Sequence, residues 1–324
     1  FRFWPVDEQK SCAVNIEGTR NVLDFCLKHE GIDTVLYYSS IEAVGSQQKR
    51  SGPPGAKEYE RPYRGELKGC PYKMTKTIAH YLAEEYAPAF QANNKKIIIH
   101  APPTPFGPGM ENVPTGVLMT KHKGLIRFIC PNTVLSCADI GDIARDSVLL
   151  LTENGRVKNG MTYVTVGFHA SILEILKTKE KFTGISAPRI IIPNPALLPL
   201  ASLMENYGLI NKNYLPGITK EQARRTSQNH FYDTAFTKEA LALTEKDYYG
   251  LEETIGNISF YLIRKGIIPR LSGKRLNIPY SFDNPTVASP LGQMNKGGAY
   301  YFIAGSPAQK AGLQERDVIL ALDG

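Results

Sequence analysis

The sequence predicts an α/β protein built on an open parallel sheet with helices on its faces. Three observations carry this. Helix-like and strand-like patterns alternate through the first hundred residues, the order that parallel sheets require. The run KKIIIH at 95–100 is continuously apolar at its centre, as a strand buried on both faces would be. And the chain, at 324 residues with 42% hydrophobic and 21% charged, can bury a sizeable core and hold more than one domain.

The elements follow in order. In AVNIEGTRNVLDFCLKH (13–29), Ile16, Val22, Leu23, Cys26 and Leu27 recur at helical spacing. TVLYYSS (34–40) is a short β-rich run closing on two serines, followed by a polar loop dense in Gly and Pro. CPYKMTKTIAHYL (70–82) opens a helix: Pro71 suits a first turn, and Met74, Ile78, Leu82 and Tyr86 recur every four residues as its expected buried face. The next strand runs into a Pro/Gly loop, APPTPFGPG. ADIGDIARDSVLLLTEN is another helix, with Asp142 near its start, where a carboxylate favours the positive end of the helix dipole. MTYVTVG and PRIIIPNP are short strands, and 195–268 is mainly helical, ending at Gly266 as a C-terminal cap. Composition changes after Pro269, so the expected domains are 1–269 and 270–324.

Composition narrows the function. The net charge of +7 comes without a long Lys/Arg run, which argues against a nucleic-acid arm and leaves at most a preference for anionic ligands. The five cysteines form no C-x-x-C pair, and the six histidines show no metal-ligand spacing. Reduced thiols and a cytoplasmic location are expected. No apolar run in the sequence is long enough for a membrane span, and no signal peptide is expected.

Chemistry points to one pair. Tyrosine four residues before lysine occurs twice, at Tyr72–Lys76 and Tyr261–Lys265, and the spacing alone is cheap. The second pair sits beside Gly266 without an upstream strand-end serine and reads as a solvated helix face. The first follows a strand that ends in Ser39–Ser40, placing a hydroxyl at the carboxyl edge of the sheet, where open α/β folds bind ligands. A free phenol, with a pKa of about 10, is a weak base at neutral pH. A lysine one helical turn away shares its face, and the ammonium charge favours the phenolate. Ser40 would hold a substrate oxygen while Tyr72 moves the proton.

Taken together, VNIEGTRNVLDFC, VLYYSSIEAVG, YKMTK, APPTPFGPG and CADIGDIA stand in the order of motifs in the extended short-chain dehydrogenase/reductase family, which the chain resembles over residues 1–268. TPFGPGMENVPTG and the opening FRFWPVDEQKSCAVNIEGT are most similar to its dihydroflavonol-reductase-like branch, particularly the hopanoid-associated sugar epimerases. The resemblance implies a Rossmann-like doubly wound sheet with a small substrate subdomain, NAD or NADP as cofactor, and a nucleotide-sugar or dihydroflavonol-like substrate. It implies Tyr72 as acid/base, Lys76 as its activator and ribose ligand, Ser40 with Ser39 as substrate-oxygen ligands, and Asn15 as support for the site. Ala101, Pro102, Pro103 and Thr104 would lie near the nicotinamide, and Asp142 matches a motif aspartate as well as it matches a helix-end carboxylate.

One family feature is missing from the sequence: the strand, Gly-rich turn and helix that receive the pyrophosphate. Roughly seventy to ninety family residues are expected before Phe1, and the polypeptide as written is expected to lack the first strands and to bind the cofactor poorly. The tail, GSPAQKAGLQERDVILALDG, resembles part of an HtrA-type PDZ domain, with Arg316 where glycine is usual. That implies a peptide carboxy-terminus as partner. A second copy of the chain is the other expected partner. A scaffold or binding protein with a PDZ-like module is the alternative to an enzyme.

Overall fold

The computed structural model describes residues 8–45, 55–110, 118–120, 128–153, 155–211, 218–268, 293–294 and 300–301. Its amino-terminal part is the expected alternation. Helix α1 (Glu8–Cys12) continues through a π-helical turn, Ala13–Glu17, into α2 (Gly18–Lys28). Strand β1 (Thr34–Tyr38) follows, then the short α3 (Arg64–Leu67), the long α4 (Pro71–Ala92) and β2 (Lys96–Ala101). Strands β1 and β2 are parallel, with Leu36 opposite Ile98 and Tyr38 opposite His100. β6 (Thr162–Val164) joins β2 on its other side, also parallel, giving the order β1-β2-β6.

Strand β2 explains the two faces. Ile97 and Ile99 point into a cluster with Leu23 and Cys26 of α2 and Ala83, Ala87 and Phe90 of α4. Ile98 points the other way, onto Leu150 of α5 (Ile140–Thr152), Tyr163 and Leu241. All three isoleucines are fully buried, each contributing about 1.5–3 kcal/mol of apolar burial. Helices on both sides of a central parallel strand make the fold Rossmann-like and doubly wound.

A second region carries β3 (Thr104–Phe106), β5 (Val134–Asp139) and β7 (Phe168–Ser171), in that order, with β3 parallel and β7 antiparallel to β5. β4 (Ile129–Pro131) pairs in parallel with β8 (Ile190–Ile192). Helices α6 (Ile172–Thr183), α7 (Asn194–Ile210), α8 (Lys220–Thr226), α9 (Ala235–Leu241) and α10 (Leu251–Arg264) complete it. Ile175 of α6 packs with Ile255, Ile258 and Leu262 of α10 in its core. Gly266, past the end of α10, takes φ of 68°, the left-handed conformation a terminating glycine supplies.

Two expectations change. The Pro/Gly loop after β2 contains a strand, β3. The four-residue stripe on α4 is only in part its buried face: Leu82 is buried but Ile78 is 41% exposed, and Ala79, Ala83, Ala87 and Phe90 complete the buried side. The PDZ-like segment lies outside the described residues, apart from an antiparallel pairing of Gln293–Met294 with Tyr300–Tyr301. All five cysteines are free thiols, and four of them are buried. Among the described residues no helix is long and apolar enough to cross a membrane, and no His/Cys/Asp/Glu group could hold a metal ion.

Candidate active site

The site forms where β1 ends. Past Tyr38 the chain keeps following β2: Ser39 N–H donates to His100 O at 2.7 Å, and Ile41 N–H donates to Pro102 O at 3.2 Å. This places Ser39 and Ser40 at the carboxyl edge of the sheet beside the Ala101–Thr104 segment. The two serines then diverge. Ser39 Oγ is 2.7 Å from His80 Nδ1, inside the protein, and His80 Nε2 is 2.9 Å from Thr162 Oγ1. Ser40 accepts from Glu42 N–H at 3.2 Å, capping the one-turn helix Ile41–Ala43, and its hydroxyl lies near the Tyr72 phenol, close enough to lower its pKa. Of the two serines, Ser40 is the one brought to Tyr72.

Tyr72 occupies the second position of α4, after Pro71 at the first. Cys70 offers no side-chain cap there. The exposed amide is capped from across the structure: Tyr72 N–H donates to Glu221 Oε1 of α8 at 2.9 Å. Arg224 Nη1 donates to Gly69 O at 3.0 Å, and the Arg225 guanidinium lies over the Tyr72 ring, 4.8 Å from its centroid. Three residues of α8 therefore hold the head of α4. The segment after α8 is fixed by a parallel bridge between Ala56 and Tyr232. A Cβ at Gly55 would come within 2.2 Å of the Tyr232 backbone, so this close approach needs glycine.

Asn15 lies in the π-helical turn, a feature often found at functional sites. Its Nδ2 donates to Thr75 Oγ1 at 2.9 Å, and Thr75 Oγ1 donates to Pro71 O at 2.8 Å. Asn15 thus ties α1–α2 to the turn of α4 between Tyr72 and Lys76. Lys76 sits one turn on from Tyr72 and is half-buried. Ala101 ends β2, pairing in register with Val164, while Thr104 begins β3 opposite Cys137. Asp142 lies away from this group. Asp139 is the N-cap of α5, and Asp142 accepts from Arg145 Nη1 at 3.0 Å and Tyr249 N–H at 2.9 Å.

Electrostatics centre on a buried ion pair that the motifs did not single out. Arg225 Nε donates to Glu42 Oε1 at 2.9 Å, and Nη2 approaches the same oxygen at 2.8 Å. Burial pushes the Glu42 carboxyl up, but Arg225, His230 and Lys73 outweigh it and hold the group down at about 2. Burial raises the Tyr72 phenol above its usual range; Arg225 and the nearby Ser40 hydroxyl pull it down, and Glu42 and Glu221 push it up. Burial likewise pushes Tyr37, on β1, up to about 12, with the charge of Tyr72 adding to the rise. Glu42 was legible in one respect: it stands two residues past Ser40 in the quoted strand motif. Nothing in EQARRTS marks Arg225 or Glu221.

The parallel α/β sheet, with Ser40 and Tyr72 at its carboxyl edge, is Rossmann-like. Comparison with known proteins agrees. Residues 5–152 match the 3-beta hydroxysteroid dehydrogenase/isomerase family. A curated relative, short-chain dehydrogenase/reductase family 42E member 1 of Danio rerio, is 22% identical over 257 residues, 75% of this chain. The chain spans 65% of that relative's length. The crystal structure of gox2253 matches with a TM-score of 0.66 and 22% identity, covering 83% of this chain and 77% of that one. UDP-glucuronic acid 4-epimerase from Bacillus cereus, solved with NAD, matches with a TM-score of 0.58 and 19% identity over 82% of this chain and 72% of its own. The family match covers residues 5–152, and the structural matches show a shared Rossmann-like fold.

Proposed function

We propose that this chain forms the body of an NAD(P)-dependent oxidoreductase or epimerase acting at a secondary alcohol or ketone. The observation that carries the reading is the placement of the Ser40 hydroxyl beside the Tyr72 phenol at the carboxyl edge of β1 and β2. Solved structures of this fold were captured with NAD in some cases and with NADPH in others, including yeast methylglyoxal/isovaleraldehyde reductase with NADPH.

The donor set fits the nicotinamide–ribose end of such a cofactor. Lys76 offers an ammonium to ribose hydroxyls, Tyr72 a phenol, and Ala101–Thr104 a largely apolar wall. No Gly-rich turn between a strand and a helix occurs among the described residues, so no pyrophosphate contacts are assigned. When bound, NAD or NADP supplies the acceptance or donation of hydride.

The chain's own residues handle the proton. Burial keeps the Tyr72 phenol protonated at neutral pH, so it stands ready to deliver a proton to a carbonyl oxygen. In the reverse direction it takes the proton from an alcohol. Ser40 orients the substrate oxygen by its hydroxyl. Lys76 adds positive charge on the same helix face, and Asn15 fixes that turn through Thr75. Ser39, bonded to His80, supports the edge from within. The substrate class favoured by the resemblance is a nucleotide sugar or a dihydroflavonol-like polyol.

The test is consumption of NADH and NADPH with a panel of nucleotide 4-ketosugars and dihydroflavonols, paired with calorimetric titration of each cofactor. Hydride transfer to one substrate class with one preferred cofactor supports the reading. Failure of both cofactors to bind the intact protein would overturn it.

A further inference from the structure

The Arg225–Glu42 pair has no role in the chemistry just proposed, yet it sits against the reacting phenol. Arg225 comes from α8, far along the chain, and reaches over the Tyr72 ring at 4.8 Å. Its guanidinium is fixed by two contacts to Glu42 Oε1, and its backbone carbonyl is 3.0 Å from His230 Nε2. Glu42 Oε2 is buried without a hydrogen-bond partner, so the whole interaction runs through one oxygen. With Glu42 buried and the Arg225 side chain 30% exposed, the pair is weak as a stabilising device, because desolvation of the carboxylate and solvent screening of the guanidinium offset its attraction. Its placement points instead to the group it touches.

We propose that Arg225 is a positioning residue for Tyr72: held by Glu42, it packs on the phenol ring and supplies a positive charge in addition to that of Lys76. The proposal rests on the reading of Tyr72 as acid/base and deepens it. It also makes the docking of α8 a condition for a competent site, since Glu221, Arg224 and Arg225 grip the same helix head.

The charged and titratable groups that act on Tyr72 are Arg225 and Glu221 from α8 and Glu42 from the turn after β1, and Tyr72 in turn acts on Tyr37 of β1. His230 faces Glu42. Lys73 is engaged by Glu66 at 2.8 Å, and Arg224 donates to Gly69. Arg225 is the cation stacked on the ring, and Glu42 is the anion that sets its position.

The experiment places difluorotyrosine at position 72 and follows its ionisation by fluorine NMR in the otherwise intact protein, with no substrate or cofactor needed. Arg225→Met should move the midpoint up by about one pH unit or more, and Arg225→Lys should recover part of that shift. Glu42→Gln, isosteric and still able to accept from Arg225 Nε, should move it down. It keeps the proposal testable if Arg225→Met does not fold. A merely structural role would lower the unfolding temperature without opposite shifts. An unmoved midpoint in folded Arg225→Met, or an upward shift in Glu42→Gln, would overturn the proposal. The outcomes separate from those of the parent reading. Opposite midpoint shifts in a protein with no hydride transfer leave the Arg225 coupling standing and remove the oxidoreductase assignment. Turnover that depends on Tyr72 with an unmoved midpoint does the reverse. Where NAD(P)H consumption is found, the alkaline limb of its pH profile, which reports loss of the phenol proton, should shift in the same directions.

Discussion

Ser39 Oγ lies 2.7 Å from His80 Nδ1 while the adjacent Ser40 turns to the Tyr72 phenol. Adjacent residues on an extended chain face opposite sides, and here that alternation assigns one serine to the interior and one to the site. The two should therefore fail differently. Ser39→Ala leaves a buried imidazole nitrogen unpaired and should cost about 1–3 kcal/mol in denaturant unfolding, with turnover per folded molecule nearly kept. Ser40→Ala loses the cap on the Ile41–Ala43 turn, at about 0.5–2 kcal/mol, and unlike Ser39→Ala should also lose about 10²-fold in kcat.

Acid should destabilise the protein through its buried histidines. His100 is enclosed between Ser147 Oγ at 3.1 Å and Thr165 Oγ1 at 2.8 Å. Burial depresses it from 6.5 to about 4, against the pull of Asp146. Between these values the unfolded chain binds the proton and the folded one does not, so stability is complete above the upper value and falls as pH drops through the window. The loss attributable to His100 is about 3 kcal/mol. His80, His169 and His230 are shifted the same way, chiefly by burial. Chemical denaturation across this pH range should show the fall, and His100→Gln should flatten it. An unchanged slope in that variant would contradict the assignment.

A buried carboxylate anchors α5 to the later chain. Asp146 accepts from Arg145 Nη2 at 2.8 Å, Thr165 Oγ1 at 2.7 Å and Tyr248 OH at 2.9 Å. Asp146→Ala strands all three donors and should cost about 3–5 kcal/mol. Tyr248→Phe removes one bond and should cost about 1 kcal/mol. Equilibrium unfolding of the two variants distinguishes them.

Much of this was legible in the sequence, for local reasons. The helix–strand alternation shows because each element carries its own periodicity, and Pro71 announces the start of α4. The stripe at Met74, Ile78, Leu82 and Tyr86 misled because a four-residue step advances about 40° beyond a full turn, so it drifts across the helix face. Strand β3 was hidden by Pro105 at its centre. It is the edge of its sheet, paired on one side with β5, where a proline's missing N–H costs little. Ser40 and Tyr72 could be named from motifs because both lie near the ends of recognisable elements. Glu221 and Arg225 could not: they stand 149 and 183 positions from the residues they contact, and only the tertiary fold joins them.

The proton-transfer role of Tyr72 is tested most directly by single-turnover hydride transfer in wild type and Tyr72→Phe, with cofactor affinity measured alongside. The phenylalanine variant should bind NAD(P) within a few-fold of wild type and transfer hydride about 10²–10⁴-fold more slowly. Transfer at the wild-type rate without the phenol oxygen would contradict the account.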